Sequence, residues 1–254
     1  MKILGLGHSH IVAIAEGCYE LQHQGATIGG APLSSRFVYL LDPAITPTLI
    51  DAEDGQTLNP RLSEIIAQEG ADFGLLSIQG NEHIALSITQ PFERIDFILG
   101  EENALPLAEG ATLLTEAAVR ETLRDRMAET IAILAALRRA TRMPLYCLSP
   151  PPPLPDCQIK AYPKEFFRKA VDADRLSPEI FRYKVWRLAC QLYRESCAAQ
   201  NIVFVEVPPA FIAPPGLLIR EAWGADATHA NPSFGKAMVE KVIGMVETSR
   251  ALVA

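Results

Sequence analysis

No lysine- or arginine-rich run occurs in the 254 residues, and acidic side chains outnumber basic ones by 30 to 23, a formal net charge of -7. A nucleic-acid partner is therefore not expected, because phosphate recognition needs a concentrated basic face. An uninterrupted apolar run of membrane-spanning length is also missing. The most apolar stretch near the C-terminus, "IVFVEVPPAFIAPPGLLI", is cut by Glu206 and four prolines, so no membrane partner is expected either. With a first strand expected from Lys2, no signal peptide is expected. The five cysteines (Cys18, Cys147, Cys157, Cys190, Cys197) are an odd number without metal-type spacing. They read as reduced, mostly buried thiols, and the chain as cytoplasmic.

What is present is 49% hydrophobic residues, enough for one sizeable core and short for two domains. Nearly continuous apolar runs predict strands at 2–7, 36–42, 72–78, 144–149 and 202–207. Helical patterns alternate with them. Asn59, Pro60 and Gly70 bracket one helix, Ser177–Pro178 and Asn231–Pro232 open two more, and residues 113–141 predict a long one. This alternation predicts an α/β fold with a parallel sheet. Two stretches exceed a minimal unit, at about 83–112 and 150–176. Both follow strand ends, where open α/β sheets place ligands, and are read as walls of a site within a single domain over 1–254.

The loop after the first strand, "GLGHSH", admits three chemistries. As a dinucleotide fingerprint it supplies two glycines, with Asp42 at the end of the second strand, but His10 stands where the third glycine belongs. As a metal site, His8 and His10 form an H-x-H pair, with His23, His83 and His229 the remaining imidazoles. As a nucleophile, Ser9 at a strand-to-helix turn gains from backbone N–H groups and the positive end of a helix. A serine there also serves as an ordinary helix cap.

Further along, "DATH" sets Asp226 three residues before His229, ahead of a capped helix. A turn of that spacing lets the carboxylate reach Nδ1 of the same imidazole while Nε2 faces a nucleophile. Asn81, after the third strand, could offer its side-chain amide to an oxyanion, and Gly55 its N–H from a loop before a helix.

In order, "GHS" (7–9), "DGQT" (54–57), "GNE" (80–82) and "DATH" (226–229) resemble the four blocks of the SGNH hydrolases, the GDSL-type esterases, over almost the whole chain. The resemblance implies a flavodoxin-like three-layer α/β/α sandwich around a five-stranded parallel sheet. It also implies Ser9, His229 and Asp226 as a catalytic triad, with Ser9, Gly55 and Asn81 forming an oxyanion hole. No cofactor or metal is implied. His8 replaces the family's aspartate before the serine, and "QGNE" lacks the residue between glycine and asparagine, which puts Gln79 in the glycine slot. The register that keeps Asn81 is preferred, because an acceptor-only carboxylate would oppose an oxyanion. His8, His10, Glu82 and His83 are candidate pocket residues. The expected activity is hydrolysis of acyl esters, short ones such as acetyl, on a small molecule or a glycan. The alternatives are acyl transfer, glycan binding without catalysis, NAD binding and metal-dependent hydrolysis.

Overall fold

The computed structural model describes residues 1–45, 48–50, 54–78, 81–90 and 93–252. Five parallel strands form the central sheet: β1 (Lys2–Gly7), β2 (Ser34–Tyr39), β3 (Phe73–Ser77), β4 (Leu145–Leu148) and β5 (Val203–Val205). Their order is β2-β1-β3-β4-β5, the flavodoxin-like arrangement. Chain direction across the sheet reverses between β1 and β3, so the crevice for a ligand opens beyond the C-terminal end of β1.

Helices cover both faces. On one, α1 (Ile11–His23) and α8 (Pro232–Ala251) pack against Ile3, Phe73, Leu75 and Val205. On the other, α2 (Pro60–Glu69), α4 (Glu116–Ala140) and α7 (Glu179–Ala199) enclose Leu4, Leu6, Leu76 and Cys147. Each fully buried leucine contributes roughly 1.5–3 kcal/mol relative to exposure.

Two glycines bring α1 and α8 into backbone contact. A Cβ on Gly17 would strike the Lys236 nitrogen, and one on Gly235 the Ala13 carbonyl. This close approach sets the residues just ahead of the two helices side by side, although they are more than two hundred positions apart in sequence.

The helix signals are partly redistributed. Asn59 accepts from the Arg61 N–H, Gly70 takes a left-handed φ of 58°, and Asn231 accepts from the Ser233 and Phe234 N–H groups. Ser177 does not cap. Helix α7 starts at Glu179 with Pro178 at the cap position, and the buried Ser177 contributes its carbonyl to Arg182 instead. The second strand is shifted to 34–39, because the chain turns at Asp42, whose carboxylate accepts from the Ala44 N–H and whose carbonyl accepts from Ile45.

After α3 (Asn81–Ser87), Ile95–Phe97 pairs in parallel with Thr112–Leu114. This insertion is tied to α7 by a fully buried ion pair. Lys184 Nζ donates to both Asp96 carboxylate oxygens (2.9 and 3.0 Å) and to the Pro106 carbonyl (2.9 Å). Removing one member of such a pair costs about 3–5 kcal/mol. The second insertion carries two short helices, α5 (Asp156–Ala161) and α6 (Glu165–Asp172), where the sequence reads as irregular. Among the described residues all five cysteines are free; Cys157 is exposed and the others are buried. No described helix is long and apolar enough to cross a membrane.

Candidate active site

Strand β1 delivers the loop His8–His10 to the sheet edge. Gly7 is confined there: a Cβ would meet the Ser77 carbonyl and Ile11. That glycine serves close packing of β1 on β3 and α1. His8 donates its N–H to the Ser77 carbonyl, while Ile11 and Val12 donate to the His8 and Ser9 carbonyls as α1 begins. Ser9 makes no side-chain cap, since the cap position is His10 and carries no side-chain bond. The Ser9 N–H, at the positive end of α1, donates to no atom among the described residues.

The second element is the loop Trp223–Ala230, closed by a bridge between its ends and by Gly224 N–H donating to the His229 carbonyl (2.9 Å). Asp226 organises its interior. One carboxylate oxygen, Oδ1, accepts from the Thr228 N–H (2.8 Å) and the His229 N–H (2.9 Å). The other, Oδ2, lies 2.6 Å from His229 Nδ1. Because the carboxylate only accepts, Nδ1 carries the proton and Nε2 is left as the acceptor. Ser9 Oγ sits 2.7 Å from that Nε2. The three-residue spacing works because one carboxylate both caps its own turn and orients the ring that follows.

Burial alone would raise the Asp226 pKa. It is outweighed by the bond from His229, by the Thr228 and His229 N–H groups, and by the charge of His229, so the carboxyl lies well below the usual range. Lys164, from the second insertion, adds a cation 3.5 Å from Oδ2.

The structure brings Ser9, His229 and Asp226 together and distributes the remaining candidates around them. His10 is buried, its ring centroid 4.7 Å from that of His229 at a tilt of 57°. Burial, then the neighbouring His229 and His83, hold its pKa well below the ordinary value. Burial likewise lowers His83 to about 4, against the opposing charge of Glu82. His8 turns elsewhere, placing Nδ1 3.0 Å from the Ile78 carbonyl. Glu82 accepts from Thr130 Oγ1 at 2.5 Å. His8, Glu82, Arg126 and Thr130 line a cleft of about 420 Å³ beside the loop. Among the described residues no group of three or more histidine, cysteine or acidic side chains could hold a metal ion.

Gly55 has a φ of 61° in an exposed turn, and no hydrogen bond among the described residues links it to Ser9 or His229. The adjacent Gln56 carbonyl accepts from Arg139 near the end of α4. Asn81 is the first residue of α3, and its side chain lies outside the described residues, as do Gln79 and Gly80. Sequence reasoning missed Lys164, Gln158 and Arg126, none of which stands in a recognisable spacing with the histidine loop.

The buried imidazoles give a pH prediction. His10 and His83 have folded pKa values below the unfolded value of about 6.5. The unfolded chain therefore binds more protons below that pH, and stability falls from about pH 6.5 down to pH 4. Asp226, depressed instead from a carboxylate value, keeps its contribution until pH drops below about 4. Thermal unfolding should show a Tm that declines steadily from pH 7 to 4.5, and less steeply in His83→Gln; equal slopes would contradict this assignment.

No family model matches the sequence, and no curated protein matches it. Solved structures do. The periplasmic domain of a lipopolysaccharide acetyltransferase from Salmonella ser. Paratyphi A superposes with a TM-score of 0.51 at 11% identity, over 96% of this chain and 83% of that one. An aryl esterase from M. smegmatis has a TM-score of 0.48 at 13% identity, covering 97% and 98%. A carbohydrate acetylesterase from Sinorhizobium meliloti has a TM-score of 0.46 at 12% identity, also covering 97% and 98%.

Proposed function

We propose that this chain, which has the fold of the SGNH hydrolases, is a serine esterase acting on acyl esters through Ser9, His229 and Asp226. The observation that carries the reading is the run of contacts Ser9 Oγ to His229 Nε2 (2.7 Å) and His229 Nδ1 to Asp226 Oδ2 (2.6 Å). In that arrangement the imidazole removes the serine proton as Oγ attacks the ester carbonyl, and Asp226 stabilises the imidazolium. The imidazolium then protonates the leaving alcohol. Water, deprotonated by the same ring, attacks the acyl-enzyme; carboxylic acid leaves and Ser9 regains its proton.

The negative charge on the tetrahedral oxygen is met by the Ser9 N–H at the start of α1 and, in this reading, by the Asn81 amide from the start of α3. The absence of a long contiguous apolar lid in the sequence favours a short acyl group such as acetyl over a lipid chain. Polar groups at His8, Glu82, Arg126 and Thr130, set among the leucines and isoleucines that line the rest of the cleft, offer hydrogen bonds to a hydroxyl-bearing alcohol portion, such as a sugar. The same fold houses an acetyltransferase domain, so a sugar hydroxyl replacing water as acceptor is the second reading.

Treatment with a fluorophosphonate should add the phosphonyl group at Ser9, located by mass spectrometry of the tryptic peptide, and should stop cleavage of p-nitrophenyl acetate. Cleavage that persists in fully labelled protein would remove Ser9 from the reaction. Inclusion of a sugar acceptor, with the acetylated sugar measured against free acetate, separates transfer from hydrolysis.

A further inference from the structure

The segment 156–164 reaches the histidine loop from an insertion that the triad itself does not use. Gln158 of α5 is buried, and its Nε2 donates to the Gly224 carbonyl (3.0 Å) and the Asp226 carbonyl (3.2 Å). Lys164, at the entry to α6, donates from Nζ to Thr228 Oγ1 at 2.5 Å and lies 3.5 Å from Asp226 Oδ2. That oxygen is the one that accepts from His229 Nδ1, and Thr228 Oγ1 is itself 3.4 Å from the same nitrogen. The loop is therefore held from one segment through its backbone at Gly224 and Asp226 and through the Asp226 and Thr228 side chains.

We propose that Gln158 and Lys164 clamp the Asp226–His229 loop, and that Lys164 is a positioning residue whose charge sets how strongly His229 draws the proton from Ser9. The proposal rests on the serine-esterase reading above. A cation sharing Oδ2 takes up part of the field with which the carboxylate stabilises an imidazolium, and its own charge repels one. Lys164 thereby opposes the stabilisation that Asp226 gives an imidazolium at His229. The other titratable groups near the ring do not compensate. His10 faces it from the start of α1, and His83 acts on His10 from α3; burial keeps both neutral. Lys164 is about one-third exposed, so solvent weakens but does not abolish its effect. Gln158 is uncharged and acts on position alone.

The test follows the His229 ring by NMR titration in the native protein and in Lys164→Met, Lys164→Gln, Lys164→Arg and Gln158→Leu, beside the acid limb of kcat/KM for p-nitrophenyl acetate. Lys164→Met should raise the ring pKa and the acid limb together by about one unit. Lys164→Gln, which retains a donor for Thr228, should move them equally. Lys164→Arg should leave both near their native positions. Gln158→Leu should lower kcat several-fold with the titration unmoved. A ring titration unchanged in both neutral variants overturns the proposal. Because that titration needs no turnover, a native protein without esterase activity would overturn the serine-esterase reading while still reporting the effect of Lys164 on the ring.

Discussion

Ser9→Ala is expected to lower kcat/KM for p-nitrophenyl acetate by about 10⁴- to 10⁶-fold, the range seen when a triad nucleophile is removed. The fold should barely register the change. Ser9 Oγ has His229 Nε2 as its hydrogen-bond partner, and the histidine keeps its Asp226 bond when the hydroxyl is gone. The site is partly open, so water can replace the lost oxygen without leaving a buried orphan. A Tm within about 2 °C of native is the corresponding expectation. His229→Ala should cost a similar factor, and the double variant hardly more, because nucleophile and base act as one unit. Kinetics on the three variants check this. Losses that multiply in the double variant, or a Ser9→Ala protein with a tenth of native activity, would show that the two residues do not share a step.

Residues close in sequence made part of this site legible. The strands declare themselves through continuous apolar runs such as "KILGLG", since a strand covered on both faces has no polar side to show. Asp226 and His229 could be read as a pair because the carboxylate meets the ring within one turn of chain. Ser9 could be read as their partner only through the order of blocks along the chain, since the contact depends on how α1 packs on α8 at Gly17 and Gly235. No local pattern encodes that approach.

The same limit explains what was missed. Lys164 meets Asp226 across 62 residues, from a stretch with little periodicity, and nothing in its neighbours marks it as a site residue. His10 and His83 stand beside the expected motifs, yet their character as buried, uncharged rings comes from packing. Ser177 carries the usual cap-and-proline signature, but its backbone is committed to Arg182 and the helix begins one residue beyond the proline.

Asp226→Asn is the change expected to separate geometry from chemistry. The asparagine carbonyl can still accept from the Thr228 and His229 N–H groups, so the loop keeps its turn. Its amide NH2 then faces His229 Nδ1, where a donor meets a donor unless the ring gives up the Nδ1 proton. The ring shifts to the tautomer with hydrogen on Nε2, the nitrogen that must take the proton from Ser9. A loss in kcat of about 10⁴-fold follows, as in other triads where this tautomer is reversed. Without the anion the imidazolium is also less stable, so the ring should titrate at lower pH than in the native protein. Asp226→Ala leaves the ring free to take either tautomer but removes the acceptor that holds the turn, so it should lose more Tm and no more kcat than the asparagine variant. Parallel kcat and Tm measurements on the two variants distinguish these effects. An Asp226→Asn protein within tenfold of native kcat would mean that the carboxylate only shapes the loop, and the proton transfer would need another partner.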